Sequence, residues 1–296
     1  QMVNSQTRPI VEKIFRHPIK SVGSELINSV NLIVGSTMPG DRVWALAHNK
    51  TRIPETGRHW LPCQSFLRGA IAPTLMAISA KYNEHTGVLD LHHPDAQCFR
   101  FRPNIDTDLQ NFLDWIKPLC PENGPAPSLL YKVDNRGSTD TEYPSISLLS
   151  LNSLHELSEK VGADLDPRRF RGNIWLRGGK PFEEFNWVDQ EIAIGNVRLK
   201  VVERIERCNA TKANPLNGKK DIDTLTALQS NYGHKDFGVY CEVLKEGKIS
   251  CGDFSRRKRF YTVYITHKGS DGSVTVHFST TSDSSITTDT SPTTLS

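Results

Sequence analysis

One cysteine follows directly on an arginine in the run Glu206-Arg207-Cys208-Asn209-Ala210-Thr211-Lys212-Ala213-Asn214-Pro215, and no second cysteine lies nearby. A thiol beside a fixed positive charge tends toward the thiolate, the form that binds soft metals and attacks electrophiles. Most free cysteines are simply buried hydrophobes, so the neighbours decide. Thr211 and Asn214 bring a hydroxyl and an amide to the same loop. Asp236, just before Phe237-Gly238-Val239-Tyr240, offers a carboxylate or an ordinary turn residue. Lys20, Ser21 and Arg42 supply a point charge, a hydroxyl and a planar fork, a set that suits phosphate. Arg171 and Asn173 flank Gly172, and Asn173 carries both donor and acceptor. Ser145 and Ser147 are expected just before a helix, where hydroxyls and backbone N–H groups suit an anion or a plain N-cap.

Cys208 needs a rigid support. Residues 191–203 alternate apolar and polar positions around Gly195-Asn196 and predict two strands joined by a tight turn, so Cys208 falls just past a strand end. Strands are also expected at 11–17, 28–34, 42–48, 68–80, 87–92, 173–177 and 238–243. Leu109, Phe112, Leu113 and Ile116 share one face of a helix over 107–116, which Pro118 and Pro121 end. Asn152 is the expected cap of a helix over 153–160, and a short helix is expected at 223–229. Residues 117–128 hold four prolines and read as a linker, with a second domain from Leu129. Cys241 and Cys251 alternate with apolar residues and read as core thiols.

Composition narrows the function classes. The hydrophobic fraction of 37% leaves room for a core, and a net charge of +3 gives no broad footprint for nucleic acid or acidic membrane. The cluster Arg256-Arg-Lys-Arg259 reads as a solvated face. The six cysteines show neither CxxC spacing nor the C-x4-C-x2-C run, which predicts no zinc site, no iron–sulfur cluster and reduced thiols. The apolar run Gly69–Ala80 is too short for a membrane span and contains a proline, and residues 1–8 lack the apolar segment of a secretory signal. From residue 268, and most strongly over 279–296, Ser, Thr and Asp dominate, which predicts disorder.

Several pieces in order resemble the MOSC domain, found in molybdenum cofactor sulfurases, the mitochondrial amidoxime-reducing component and bacterial MOSC reductases. They are Pro144–Leu154, Arg168–Ile174, Arg207-Cys208 with Thr211 and Asn214-Pro215, Asp236–Tyr240 and Lys248–Asp253. Upstream, Ile14–Ser21 and Gly40–Leu46 resemble the β-barrel domain that usually precedes MOSC, whereas Thr51–Cys63 departs from its pattern. The resemblance implies a β-rich α+β fold with few short helices. A MOSC β-barrel domain at 129–256 would pack against an N-terminal β-barrel-like domain at 8–117, with a disordered tail at 268–296.

The resemblance also implies a molybdenum–molybdopterin cofactor in the cleft between the domains. Cys208 would ligate the metal. Lys20, Ser21, Arg42, Ser145, Ser147, Arg171, Asn173, Arg207 and Thr211 would hold the cofactor. Cys208, Asn214 and Asp236 would form the catalytic set, although many reductase members carry aspartate where Asn214 stands, so a candidate acid/base group is missing. The implied activity is reduction of N-hydroxylated or N- or S-oxygenated small molecules. Electrons would come from a separate ferredoxin-, flavin- or cytochrome b5-type protein. One alternative is a sulfur carrier using a Cys208 persulfide in molybdenum cofactor or metal–sulfur cluster maturation; another is a non-catalytic cofactor-storage module. No pyridoxal phosphate is expected, because the sulfurase domain that binds it has no counterpart here. The expected compartment is the cytoplasm, with mitochondria as the alternative.

Overall fold

The computed structural model describes residues 8–257, 261–267 and 274–280, with side chains to residue 255. The chain divides into a large unit that ends at Arg256 and a small one from Arg257. The large unit is β-rich and its helices are short: α1 (Asp106–Ile116), α2 (Leu151–Val161) and α3 (Thr224–Tyr232).

The main sheet runs in the order Glu191–Ile194, Val197–Glu206, Asp236–Lys245, Ile146–Ser150, Ile174–Arg177, Ile10–Arg16, Glu25–Ile27. Alternation drives it: Val197, Leu199 and Val201 are fully buried while Lys200 between them faces water. Ile194 and Val197 pair across the Gly195-Asn196 turn, where Gly195 takes a positive φ of 55°. All neighbours are antiparallel except Ile146–Ser150 and Ile174–Arg177, which are parallel and linked through α2. Smaller sheets are Ile19–Lys20 with Trp44–His48 and Pro127–Tyr131, Ser79–Asn83 with Val88–His92 and Phe99–Phe101, and Ser29–Leu32 with Gly247–Ser250. None closes on itself among the described residues.

The two halves of the sequence exchange strands. Ile10–Arg16 pairs with Ile174–Arg177, and Ser29–Leu32 pairs with Gly247–Ser250. Val11, Ile14, Val30 and Leu32 thereby join Ile146, Leu148, Val239 and Ile249 in one core. Pro127–Tyr131, which contains Leu129, pairs instead with Trp44–His48. A second core gathers around α1, where Phe112 and Ile116 are fully buried.

Several expectations need correction. Residues 68–78 are not a strand: Pro73 lacks an N–H and starts a 3-10 turn, Pro73–Ala77, and the strand begins only at Ser79. Ser150, not Asn152, caps α2 by accepting from Ser153 N at 3.2 Å. Asn152 is drawn to the Gly178–Gly179 backbone, accepting from Gly178 N and donating to Gly179 O. Ser147 therefore lies in a strand rather than before a helix start. Cys241 is buried as expected, but Cys251 is exposed. In the small unit, Tyr261–His267 pairs with Val274–Thr280. Residues 281–296 and the side chains of Arg256–Arg259 lie outside the described residues. No described helix is long and apolar enough to cross a membrane.

Candidate functional site

The strand Val197–Glu206 hands the chain to Arg207 and then to Cys208, which precedes a 3-10 turn at Asn209–Lys212. Cys208 is a free, exposed cysteine. Its carbonyl accepts from Thr211 N at 3.2 Å and Thr211 Oγ1 at 3.0 Å. Buried Thr211 also meets Thr224 Oγ1, at the start of α3, at 2.7 Å. Thr211 thus ties the cysteine turn to a helix. Arg207 does not bond to the thiol. Its Nε and Nη2 donate to Phe237 O, at 2.8 and 2.6 Å, and its Nη1 to Phe170 O at 2.9 Å. Burial lowers the Arg207 pKa to about 10, against the opposing pull of Tyr240, Cys208 and Asp140.

The short strand Ile19–Lys20 and the loop before Trp44–His48 bring a charged cluster to the same region. Lys20, 4% exposed, donates to Ser138 O at 2.9 Å and pairs with Asp140 Oδ1 at 2.6 Å. Arg42 bonds to Asp41 through Nη1 and to Arg171 O through Nη2 at 2.9 Å. Arg171 donates to Gly23 O at 3.0 Å and Ile19 O at 3.3 Å. Asp41 is fully buried and also accepts from His17 N at 2.7 Å and faces His17 Nδ1 at 3.2 Å. Burial drives the His17 pKa down to about 3, so the ring is neutral.

The cluster therefore sets four cations (Lys20, Arg42, Arg171, Arg207) against two carboxylates (Asp41, Asp140). Its electrostatics follow. Burial, reinforced by repulsion from Arg42, lowers Arg171 to about 9 although Asp41 and Asp140 oppose the shift. Lys20, Arg42 and Arg207 outweigh the partial desolvation of Asp140 and hold the carboxyl near 2. Ser21, Arg42 and Arg171 share a further property: each is a non-glycine residue in the left-handed region, with φ of 72°, 51° and 46°. Such backbone strain persists only where surrounding structure enforces it, and it gathers at functional sites.

Beside the cluster lies a small cleft lined by Arg42, Thr139, Asp140, Ser145, Ser147, Asn173 and Tyr240. Its serines and asparagine are largely engaged. Asn173 Oδ1 accepts from Ser147 N and Oγ, its own N–H donates to Ser147 Oγ, and its Nδ2 donates to Phe15 O. Asn173 is thus a tie across three strands. Ser145 Oγ accepts from Thr141 Oγ1 at 2.6 Å. Asn214 closes its own turn, accepting from Leu216 N and donating to Asp221. Asp236 opens the strand beside the one leading to Cys208, and its carboxylate faces Arg204 at 3.9 Å. Of the residues the sequence singled out, Arg42, Ser145, Ser147 and Asn173 line the cleft, whereas Lys20, Ser21, Arg171, Arg207, Cys208, Thr211, Asn214 and Asp236 do not.

Sequence reading missed His17, Asp41, Thr139, Asp140 and Tyr240. Tyr240 reaches the cleft because it pairs in register with Ser147, a relation no local pattern encodes. Asp41 carried one signal: it sits beside Arg42 in a run already singled out.

Among known proteins, the chain is similar to mitochondrial amidoxime reducing component 2 of Bos taurus, 32% identical over 126 residues, which is 38% of this chain and 37% of that protein. It is also similar to molybdenum cofactor sulfurase of Caenorhabditis briggsae, 30% identical over 123 residues, covering 39% of this chain and 16% of that one. The chain thus spans less than two-fifths of the length of either relative. The crystal structure of the YuaD protein from Bacillus subtilis covers 84% of this chain and 94% of its own at 12% identity, with a TM-score of 0.39, too low to argue from. The model of the MOSC N-terminal beta barrel domain matches residues 8–115 and that of the MOSC domain matches residues 139–254. Together they take in the larger part of the chain, which belongs to the MOSC family.

Proposed function

We propose that this chain binds a molybdenum–molybdopterin cofactor at the cleft, with Cys208 as the protein ligand of the metal. The observation that carries this reading is the enclosed surplus of positive charge, four cations against two carboxylates. Charge held away from water is costly unless paired, and a phosphate dianion matches the surplus. The names of the relatives, an amidoxime reducing component and a molybdenum cofactor sulfurase, point the same way.

The residues present fit such a group. Among the described residues no three His, Cys, Asp or Glu side chains are grouped to hold a metal ion. A lone exposed thiol suits a metal whose other ligands arrive with the cofactor. The cleft is small and lined mainly by polar side chains. It suits the phosphate-bearing end, with the remainder extending beyond it.

When bound, the cofactor supplies a metal centre able to accept an oxygen atom from a substrate. The chain's own residues bind and orient. Lys20, Arg42 and Arg171 hold the anion, and Arg207, fixed by two carbonyls, keeps a positive charge beside Cys208. Thr211 braces the Cys208 turn, while Asn214 and Asp236 shape the loop and the strand rather than move protons. The net reaction is reduction of an N-hydroxylated or N- or S-oxygenated small molecule. For an N–OH group, two electrons from a separate ferredoxin-, flavin- or cytochrome b5-type donor and two protons yield N–H and water. The exposure of Cys208 also favours a second reading, a persulfide carrier that hands sulfur to a partner. The proposed compartment is the cytoplasm, with mitochondria as the alternative.

Metal analysis of wild type beside Cys208→Ser tests the assignment. Molybdenum is expected in stoichiometric amount in wild type and lost from the variant, with an unchanged circular dichroism spectrum because the side chain is exposed. A variant that keeps its molybdenum overturns the ligand role. A Cys208 persulfide found by mass spectrometry, without metal, favours the sulfur reading.

A further inference from the structure

Asp140 is the exposed member of an otherwise enclosed set. Its side chain is 55% exposed, whereas that of Lys20, its partner at 2.6 Å, is 5% exposed. The other carboxylate, Asp41, is 1% exposed and is held by both His17 and Arg42. One carboxylate is built into the cluster; the other reaches in from the rim.

The backbone around Asp140 is fixed. Arg136 donates to the carbonyls of Thr141, Glu142 and Tyr143 and to Thr139 Oγ1. Trp60 Nε1 holds the Thr139 carbonyl at 2.9 Å. Gly137 packs so tightly that a Cβ there would lie 2.5 Å from Asp41 O. Lys20 keeps its bond to Ser138 O whether or not Asp140 stays. Freeing Lys20 therefore requires rotation of one side chain into water, not movement of a loop.

We propose that Asp140 is a specificity-determining residue of the anion site, a carboxylate that holds Lys20 until a doubly charged group displaces it. This rests on the reading of the cleft as an anion site. A carboxylate tethered in place has an effective concentration that a free monoanion does not match. Exchanging one single negative charge for another also gives no electrostatic gain to set against lost translational freedom. A phosphate dianion brings a second charge to a cluster with two cations in surplus, and its oxygens can bond Lys20 and Arg42 together. Asp140, once displaced, is hydrated at the rim. The cleft thus excludes chloride, nitrate and lone carboxylates, and admits a phosphate-bearing ligand.

Calorimetric titration of the full chain with inorganic phosphate tests this, at mildly alkaline pH and after phosphorus analysis shows no bound phosphate. Nitrate serves as the monoanion probe. Wild type is expected to bind phosphate and not nitrate. Asp140→Asn is expected to bind phosphate roughly five-fold tighter, because one competing ion pair is gone, and to begin binding nitrate. Asp140→Ala, with thermal unfolding as the check on its fold, should shift the same way. Equal phosphate affinity in all three proteins, with nitrate still excluded, overturns the role of Asp140 and leaves the anion site standing. Weaker phosphate binding in both variants makes the carboxylate part of the site and also overturns the role. Phosphate binding to none of the proteins overturns the anion site itself.

Discussion

Glu184 shows how a single enclosed carboxyl sets a pH response. It lies in the 3-10 turn Glu183–Trp187, is 2% exposed, and accepts a long bond from Ser153 Oγ at 3.4 Å. Burial raises its pKa from 4.5 to about 7. The folded chain therefore keeps this proton in a window where the unfolded chain has lost it. Stability falls as pH rises from about 4.5 to about 7, and the loss is complete above that. A shift of this size corresponds to about 3 kcal/mol. Glu184→Gln removes the titration, so the variant is expected to melt higher than wild type at about pH 8 and to lose that advantage near pH 5; thermal unfolding at both pH values checks it. His17 acts in the opposite sense. Its pKa falls from 6.5 to about 3 on folding, so its contribution to stability declines as pH drops through that range. At this scale the sequence revealed residue types that chemistry would select, namely Cys208, Lys20, Arg42, Arg171 and Arg207. It did not reveal their partners. Asn173 has the look of a free amide until Ser147 is found opposite it, and Asp140 is one polar residue among many until Lys20 reaches it.

The loop that carries Cys208 is held by backbone contact with the first half of the chain. Gly218, with φ of 71°, sits where a Cβ would meet Thr74 Cα at 2.5 Å, and Lys220 Nζ donates to Ala70 O at 3.2 Å. Gly218→Ala must both strain the backbone and push the loop from Thr74. Its expected cost is roughly 1–3 kcal/mol, with reduced metal content; chemical denaturation and molybdenum analysis check the two effects. The strands flanking this loop were legible because alternation and the Gly195-Asn196 turn are local signals. α1 was legible for the same reason, since its apolar positions recur at helical spacing. The turn at Pro73–Ala77 was not, because Leu75, Met76 and Ala77 are buried on a short 3-10 element that has no period of its own. The α2 cap was assigned to the wrong residue because two good capping residues lie close together, and a distant glycine pair claimed Asn152.

Across the whole molecule, strand exchange makes the family's two domains interdependent. A fragment of residues 129–256 lacks Ile10–Arg16 and Ser29–Leu32, and so leaves Ile174–Arg177 and Gly247–Ser250 without their partners. It also removes Val11, Ile14, Val30 and Leu32 from the main core. Such a fragment is expected to be unfolded or aggregated; circular dichroism and size-exclusion chromatography would contradict this by showing a folded monomer. No composition shift announced the exchange, since pairing between residues 10 and 177 is set by the hydrophobic faces of distant strands. The same pairing shapes how the chain is made. Ile10–Arg16 leaves the ribosome well over a hundred residues before the strand it must join. During that interval its apolar side chains stay without a core, as in other folds dominated by distant pairings. Translation speed and chaperone supply, rather than native-state stability alone, then govern the yield of usable protein.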